Sequence, residues 1–184
     1  MPVRQKRPDA LLEGAKVYIR APSPADREEF IALTHDSRRL HRGLVSPPED
    51  DAAFDSYLER CTRPNFVGLL LCRAEDGRLL GVFNLSEIVR GNFQSAYLGY
   101  YAGEPYAGRG YMTEGLRLVL RHAFENLKLH RIEANIQPTN VASIRLARRA
   151  GFTQEGFSRH YLKISGRWRD HERWALLAED WKKS

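Results

Sequence analysis

Between Ser95 and Met112 the chain reads Ser-Ala-Tyr-Leu-Gly-Tyr-Tyr-Ala-Gly-Glu-Pro-Tyr-Ala-Gly-Arg-Gly-Tyr-Met, and no other stretch restricts the fold as much. Its first half has the composition of a short strand rich in Tyr and Leu. A Gly/Pro turn follows, and then a Gly-rich loop that feeds a long amphipathic helix. The first N–H groups of a helix have no partner within it and carry partial positive charge, so an anion placed there gains several hydrogen bonds at once. Gly108 and Gly110 remove the Cβ atoms that would hold a pyrophosphate away from that backbone. The loop has no Gly-Lys-Ser/Thr ending, which excludes a Walker-type site, and no third glycine at the dinucleotide position. A Gly-x-Gly pair alone is equally a tight turn before a helix, so the rest of the chain has to decide.

Around this stretch the pattern predicts a single α/β domain. Ala15–Ala21 reads as a first strand, ended by Pro22-Ser23-Pro24, and Ser23 or Asp26 can cap a helix whose inner face carries Phe30, Leu33 and Thr34. A polar loop, Asp36–Asp51, leads to a second helix with Phe54, Tyr57 and Leu58 inward. Phe66–Arg73, Leu79–Val89 and Gln94–Ala102 form a meander through turns at Asp76-Gly77 and Arg90-Gly91-Asn92. The helix Tyr111–Asn126 spaces Met112, Leu116, Val119, Leu120, Ala123 and Phe124 along one buried face, which reads Met112 as a core side chain. Arg131–Ile136 is a fifth strand, Val141–Ala150 a short helix stopped by Gly151, and Phe152–Ile164 with Arg167–Leu177 a closing hairpin. The sum is a mixed sheet of roughly seven strands with helices on both sides, preceded by a loose basic tail over residues 1–14.

Bulk properties narrow the class. A chain of 184 residues buries enough surface for one full core without staples. Two cysteines, Cys61 and Cys72, are too few and too irregularly spaced for a disulfide framework or a zinc site, so no metal is expected and a reducing compartment is. No apolar run reaches the roughly 20 residues of a membrane span, and the basic start has no apolar segment after it. A cytoplasmic, soluble protein is expected. Lys and Arg outnumber Asp and Glu by 29 to 23, which leans toward phosphate-bearing partners without naming one. The basic excess between Arg145 and Arg173 reads mainly as solvated faces, so direct nucleic-acid binding is not expected.

The Gly-rich loop resembles the coenzyme A loop of the GNAT acetyltransferases, Gln/Arg-x-x-Gly-x-Gly/Ala, with Gly110 at the central glycine, Ala107 in place of Gln/Arg and Met112 in place of the last small residue. Downstream, Asn140-Val-Ala-Ser143, Gly151-Phe152 and Glu155-Gly156 are similar to the Asn-x-x-Ser, Gly-Phe and Glu-Gly run of that family. The ending, with Asp170-His171 and Asp180-Trp181, resembles the branch that acetylates the N-terminal alanine of ribosomal proteins. The resemblance covers the chain from about Val17 onward. It implies a sheet whose fourth and fifth strands, Gln94–Ala102 and Arg131–Ile136, splay to admit an acyl-CoA, with a domain over residues 15–184. It further implies that coenzyme A is held by Tyr100, Tyr101 and Ala102 on the strand, by Ala107, Gly108, Arg109, Gly110, Tyr111 and Met112 in the loop, and by Asn140.

Moving an acetyl group from a thioester to an amine requires a neutral amine, a stabilised oxyanion and a proton for the departing thiolate. Backbone N–H groups around Tyr100 and Tyr101 would meet the oxyanion. The resemblance assigns the thiolate proton to Ser143, which otherwise caps or packs its helix turn. Two residues are candidate bases: Glu104, just past the strand, and His160, where relatives carry an acidic residue. Each is otherwise a surface residue. Asp170 and His171 are adjacent in a strand and so face opposite sides, which reads them as structural. The expected partners are an acyl-CoA and an acceptor amine, foremost a protein N-terminus, in a monomer or homodimer. A small amine such as a polyamine, an amino acid or an aminoglycoside is the alternative acceptor. A non-catalytic RNA- or ribosome-binding module is the rival of another class.

Overall fold

A computed structural model describes residues 9–181. Its strands are β1 (Leu12–Glu13), β2 (Val17–Arg20), β3 (Val67–Arg73), β4 (Leu79–Val89), β5 (Ser95–Ala102), β6 (Arg131–Ile136), β7 (Thr153–Ile164) and β8 (Arg167–Leu177). The helices are α1 (Arg27–Asp36), α2 (Arg38–His41), α3 (Asp51–Cys61), α4 (Tyr111–Arg121) and α5 (Val141–Arg149). The strands make one sheet in the order β1-β2-β3-β4-β5-β6-β8-β7. Every neighbouring pair is antiparallel except β5 and β6. A parallel pair needs a crossover connection, and α4 supplies it.

Alternation along each strand separates two cores. Leu69, Leu71, Phe83, Leu85, Ala96, Leu98, Ile132 and Ala134 point to the face covered by α4 and α5, where Leu116, Val119, Leu120, Ile144 and Ala147 meet them. Tyr18, Leu70, Cys72, Val82 and Tyr101 point to the other face, against Phe30 and Leu33 of α1 and Phe54 and Tyr57 of α3. The two clusters meet the expectation of helices on both sides. Gly115 fixes how closely α4 approaches the sheet, because a Cβ there would lie 2.5 Å from Leu71 Cδ1 and 3.0 Å from Phe83 Cε2.

Three differences from the sequence-based expectation have local causes. The anticipated loose tail is partly a strand: β1 pairs with β2, Leu12 opposite Ile19, through the tight turn at Gly14. The first eight residues of that tail lie outside the described residues. The polar loop contains the turn α2, nucleated where the His41 N–H donates to the Ser37 carbonyl at 3.0 Å. The helix after the Gly-rich loop closes with a π turn over His122–Asn126, which keeps Ala123 and Phe124 in the core. Among the described residues no helix is long and apolar enough to cross a membrane.

Replacing Gly115 by valine forces side-chain atoms into space held by Leu71 and Phe83. Overpacking of this kind costs about 1–3 kcal/mol. Urea unfolding should show a lower midpoint for Gly115→Val, and an unchanged midpoint would mean that α4 does not need this close approach.

Candidate active site

The parallel pairing of β5 with β6 covers only Ser95, Ala96 and Tyr97, opposite Arg131, Ile132 and Glu133. Beyond Tyr97 the strands part, and the second half of β5 has β4 on one side alone. The Gly103 N–H donates to the Leu80 carbonyl at 2.8 Å, which makes Leu80 and Gly103 a hydrogen-bonded antiparallel pair. Because such pairs alternate, the N–H and C=O of Tyr101 face β4, while those of Tyr100 and Ala102 face the gap. The Tyr101 N–H is therefore committed to the sheet and its ring to the core beneath α1 and α3. The Tyr100 and Ala102 N–H groups are the ones directed at anything entering the gap.

A cavity of about 580 Å³ lies against the free half of β5, between it and α5. One end is formed by Ala107, Gly108, Gly110, Tyr111, Met112 and Thr113, where the loop enters α4. Gly108 and Gly110 have φ of +75° and +82°, and a Cβ at either would meet no protein atom within 4 Å. Glycine is thus required there by the backbone and leaves open space above the first amides of α4. Arg145 and Arg149, one turn apart on α5, line the same cavity. Arg149 Nη2 lies 3.5 Å from Thr113 Oγ1 in the first turn of α4. A guanidinium beside the positive end of a helix is unfavourable unless an anion lies between them, and the pair makes a cradle fit for a diphosphate. Arg109 between the two glycines is exposed and does not line the cavity. Met112 is half-buried, packs against the core and also reaches the cavity wall.

The floor brings Ser143 and Tyr100 together. Asn140 caps α5, its Oδ1 accepting from the Ser143 N–H at 3.2 Å, so the cap and the cavity wall are served by one residue. The Tyr100 hydroxyl lies 2.6 Å from Ser143 Oγ. Burial pushes the Tyr100 phenol above its ordinary pKa and the hydrogen bond with Ser143 draws it partly back, which keeps it protonated at neutral pH.

The opposite end is built by α2 and the chain after it: Leu40, His41, Leu44 and Val45. His41 is 5 % exposed, with Nε2 2.8 Å from the Ala102 carbonyl and its ring edge-on to Tyr101 at 5.3 Å. A carbonyl only accepts, so Nε2 carries the proton, and among the described residues the buried Nδ1 has no hydrogen-bond partner. Sequence reasoning left His41 in a polar loop because what fixes it is tertiary. Arg145 and Arg149 were legible as an i, i+4 pair but stood among other arginines.

The two candidate bases are not brought to this cavity. Glu104 is exposed; its N–H donates to Ser37 Oγ at 2.8 Å. His160 is exposed within a bulge of β7, at φ +45°, its N–H donating to Asp170 Oδ1 at 2.7 Å. Asp170 thereby ties the bulge, and His171 is buried with Nδ1 3.0 Å from the Arg169 carbonyl.

Two outcomes test this geometry. Gly110→Val should eliminate the thermal stabilisation given by acetyl-CoA, whereas Gly91→Val should retain it. Gly91 has φ +67° and lies outside the cavity, so it controls for backbone strain. Burial holds the His41 pKa below the ordinary value, against the opposing pull of the Ala102 carbonyl, Glu49 and Glu104. The unfolded chain takes up a proton near pH 6.5 and the folded His41 resists it. The stability due to neutral His41 is complete above that pH and declines below it. His122 and His171 shift the same way, so the urea midpoint should fall between pH 7.5 and 5.5. His41→Gln keeps a donor for Ala102 and should remove part of that slope.

Comparison with known proteins agrees with the site. Residues 16–153 match the family described as Acetyltransferase (GNAT) domain. The probable N-acetyltransferase YjcK of Bacillus subtilis is 36 % identical over 178 residues, covering 92 % of this chain and 98 % of its own. The [ribosomal protein uS5]-alanine N-acetyltransferase of Escherichia coli is 42 % identical over 107 residues, 58 % of this chain and 55 % of its own. Among solved structures, Mycobacterium smegmatis RimJ in complex with CoA-disulfide superposes with a TM-score of 0.83 at 24 % identity, covering 91 % and 85 % of the two chains. Spermidine N-acetyltransferase from Vibrio cholerae, in complex with CoA and spermine, gives 0.77 at 21 % identity, covering 89 % and 96 %. The glycine-framed helix start, the parted strands and the family match lead to one conclusion: this chain belongs to the GNAT acetyltransferase family and is an acetyl-CoA-dependent acetyltransferase.

Proposed function

We propose that the acceptor is the α-amine of a protein N-terminus beginning with alanine, foremost that of a ribosomal protein in the cytoplasm. The observation that carries this reading is the charge of the cavity. Its charged lining consists of Arg145 and Arg149, and among the described residues that line it none is acidic. A polyamine carries several positive charges and calls for facing carboxylates. A small N-terminal residue presents one amine, which has to be neutral to react, and the apolar wall of Leu40, Leu44 and Val45 suits it. An α-amine with a pKa of about 8 is already roughly one-tenth neutral at pH 7, so the exposed positions of Glu104 and His160 are no obstacle. The 42 % identity with an enzyme named for ribosomal-protein alanine points the same way.

In this reading the amides of the α4 N-terminus, with Arg145 and Arg149, hold the diphosphate of coenzyme A. The open edge of β5 pairs with the amides of its pantetheine arm. When bound, acetyl-CoA supplies an acetyl group activated as a thioester. One of the two gap-facing N–H groups, that of Tyr100 or that of Ala102, polarises the carbonyl and holds the oxyanion, and Ser143 gives the leaving sulfur its proton.

Thiol release with an Ala-initiated peptide should exceed that with spermidine at equal concentration. The reverse order would overturn the acceptor, and RNA binding with a steep salt dependence but no thiol release would overturn the enzyme. Ser143→Ala should lower kcat by about 100-fold while leaving the affinity for acetyl-CoA within a few-fold.

A further inference from the structure

We propose that Tyr100 is a positioning residue for Ser143: its phenol donates to Ser143 Oγ, so that the serine's own proton is directed into the cavity and is replaced as it leaves. The inference rests on reading Ser143 as the proton donor and adds the group that makes that role workable.

The geometry carries it. Ser143 Oγ lies 2.6 Å from the Tyr100 hydroxyl, and the Ser143 carbonyl is 3.4 Å from the same hydroxyl. The phenol therefore faces two oxygens of one residue. If the serine donated to the phenol, the phenol proton would be left with only the long contact to the carbonyl. Donation by the phenol to Oγ gives the short bond and leaves the serine proton uncommitted. Among the described residues Oγ has no second hydrogen-bond partner, and Ser143 lines the cavity, so the uncommitted proton has the cavity to point into. Both partners are held: the Ser143 N–H by Asn140 Oδ1, and the Tyr100 ring by Phe83, centroids 5.7 Å apart.

The chemistry needs such a partner. A serine hydroxyl is a far weaker acid than a thiol, so Ser143 cannot be left as an alkoxide. Burial holds the Tyr100 phenol above its ordinary value, so it does not ionise ahead of the reaction, and its proton moves to Oγ only in concert with the serine proton moving to sulfur. As the carbon–sulfur bond breaks, Ser143 Oγ–H protonates the sulfur and the Tyr100 proton moves to Oγ. The proton shed by the amine nitrogen as the amide forms then returns by the same route: Ser143 Oγ takes it up and passes its own proton back to the phenolate. One proton is lost by the amine and one gained by the sulfur, and both hydroxyls end as they began.

Tyr100→Phe removes one oxygen and keeps the ring. Its kcat should fall about tenfold with little change in KM for acetyl-CoA, the magnitude of one hydrogen bond to a developing charge. Ser143→Ala with Tyr100→Phe should be no slower than Ser143→Ala alone, because the phenol acts through the serine. A readout independent of turnover is the ionisation of the product thiol, followed as the pH dependence of coenzyme A affinity by calorimetry. Tyr100→Phe should raise the bound thiol's pKa. Fluorotyrosine at position 100 keeps the fold and acidifies the phenol, and should lower it. Full kcat in Ser143→Ala would remove the serine from the mechanism and this inference with it. A slow Ser143→Ala beside an unaltered Tyr100→Phe, or additive losses in the double variant, would overturn the role of Tyr100 alone.

Discussion

The parting of β5 from β6 after Tyr97 and Glu133 is the constraint from which the site is built. A sheet that continued its ladder here would use the gap-facing amides of Tyr100 and Ala102 on a neighbouring strand, and no acyl chain could reach them. With the strands apart, those groups are still oriented by β4, so the open edge is rigid without being satisfied. An unsatisfied but fixed row of donors is what a transition state with growing negative charge calls for. The opening depends on the layers outside it. The face with α4 and α5 is closed by Leu116, Val119, Ile144 and Ala147, and the other by Phe30 and Phe54, so the sheet cannot zip shut without displacing a packed helix.

The loop into α4 works only because of that packing. Its glycines give the backbone two left-handed positions and leave the helix amides bare, while Gly115 seats the helix directly on Leu71 and Phe83. The Lys16 N–H donates to Glu114 Oε1 at 2.8 Å, which ties the first turn of the same helix to the hairpin of β1 and β2. The end of α4 that faces the cavity is thereby held at two points, and Arg149 is brought to it from α5. The positive potential at the cavity mouth is thus the sum of backbone and side-chain contributions from two helices whose relative position the core decides.

Most of the fold could be read from the chain, and the reason is local. β5 and β6 alternate, β3 and β4 are short apolar runs between turn residues, the turns carry Asp-Gly or Gly-Asn, and Asn140 and Gly151 mark helix ends with their own chemistry. What escaped had no local signal. β1 is two residues long and exists through its pairing with Ile19 and Tyr18. The turn α2 has no apolar period and is fixed by the Ala102 carbonyl and the Tyr101 ring. The contact between Tyr100 and Ser143 joins residues 43 positions apart, so neither the strand nor the helix announces it. Tyr101, adjacent to Tyr100 and indistinguishable from it by type, sends its ring to the opposite face while still lining the cavity, a consequence of the period of two that composition alone does not phase.

The acceptor side follows a different logic, and this explains why its selectivity is the least legible part of the chain. Four of the contacts that pin the segment roofing the cavity are made by uncharged side chains. The His41 ring meets the Ala102 carbonyl, Gln137 Nε2 donates to the Gly43 carbonyl at 2.8 Å, Thr34 Oγ1 donates to the Pro48 carbonyl at 2.7 Å, and Ser46 Oγ lies 3.3 Å from Ser165 Oγ. Three of these four end on a main-chain carbonyl, and the bond from the Glu104 N–H to Ser37 Oγ and the Arg38–Glu49 ion pair, Nε to Oε2 2.8 Å, add to them. Two of those carbonyls, at Gly43 and Pro48, belong to the roof itself, and a carbonyl is present whatever side chain its residue bears. Leu44, which lines the cavity between the pins, can change while the roof keeps its place over the gap, whereas Val45 also packs against the core beneath α1 and α3. A roof anchored in this way keeps its conformation largely independent of the side chains it turns toward the cavity, and under the proposed function those are the side chains that meet the amine.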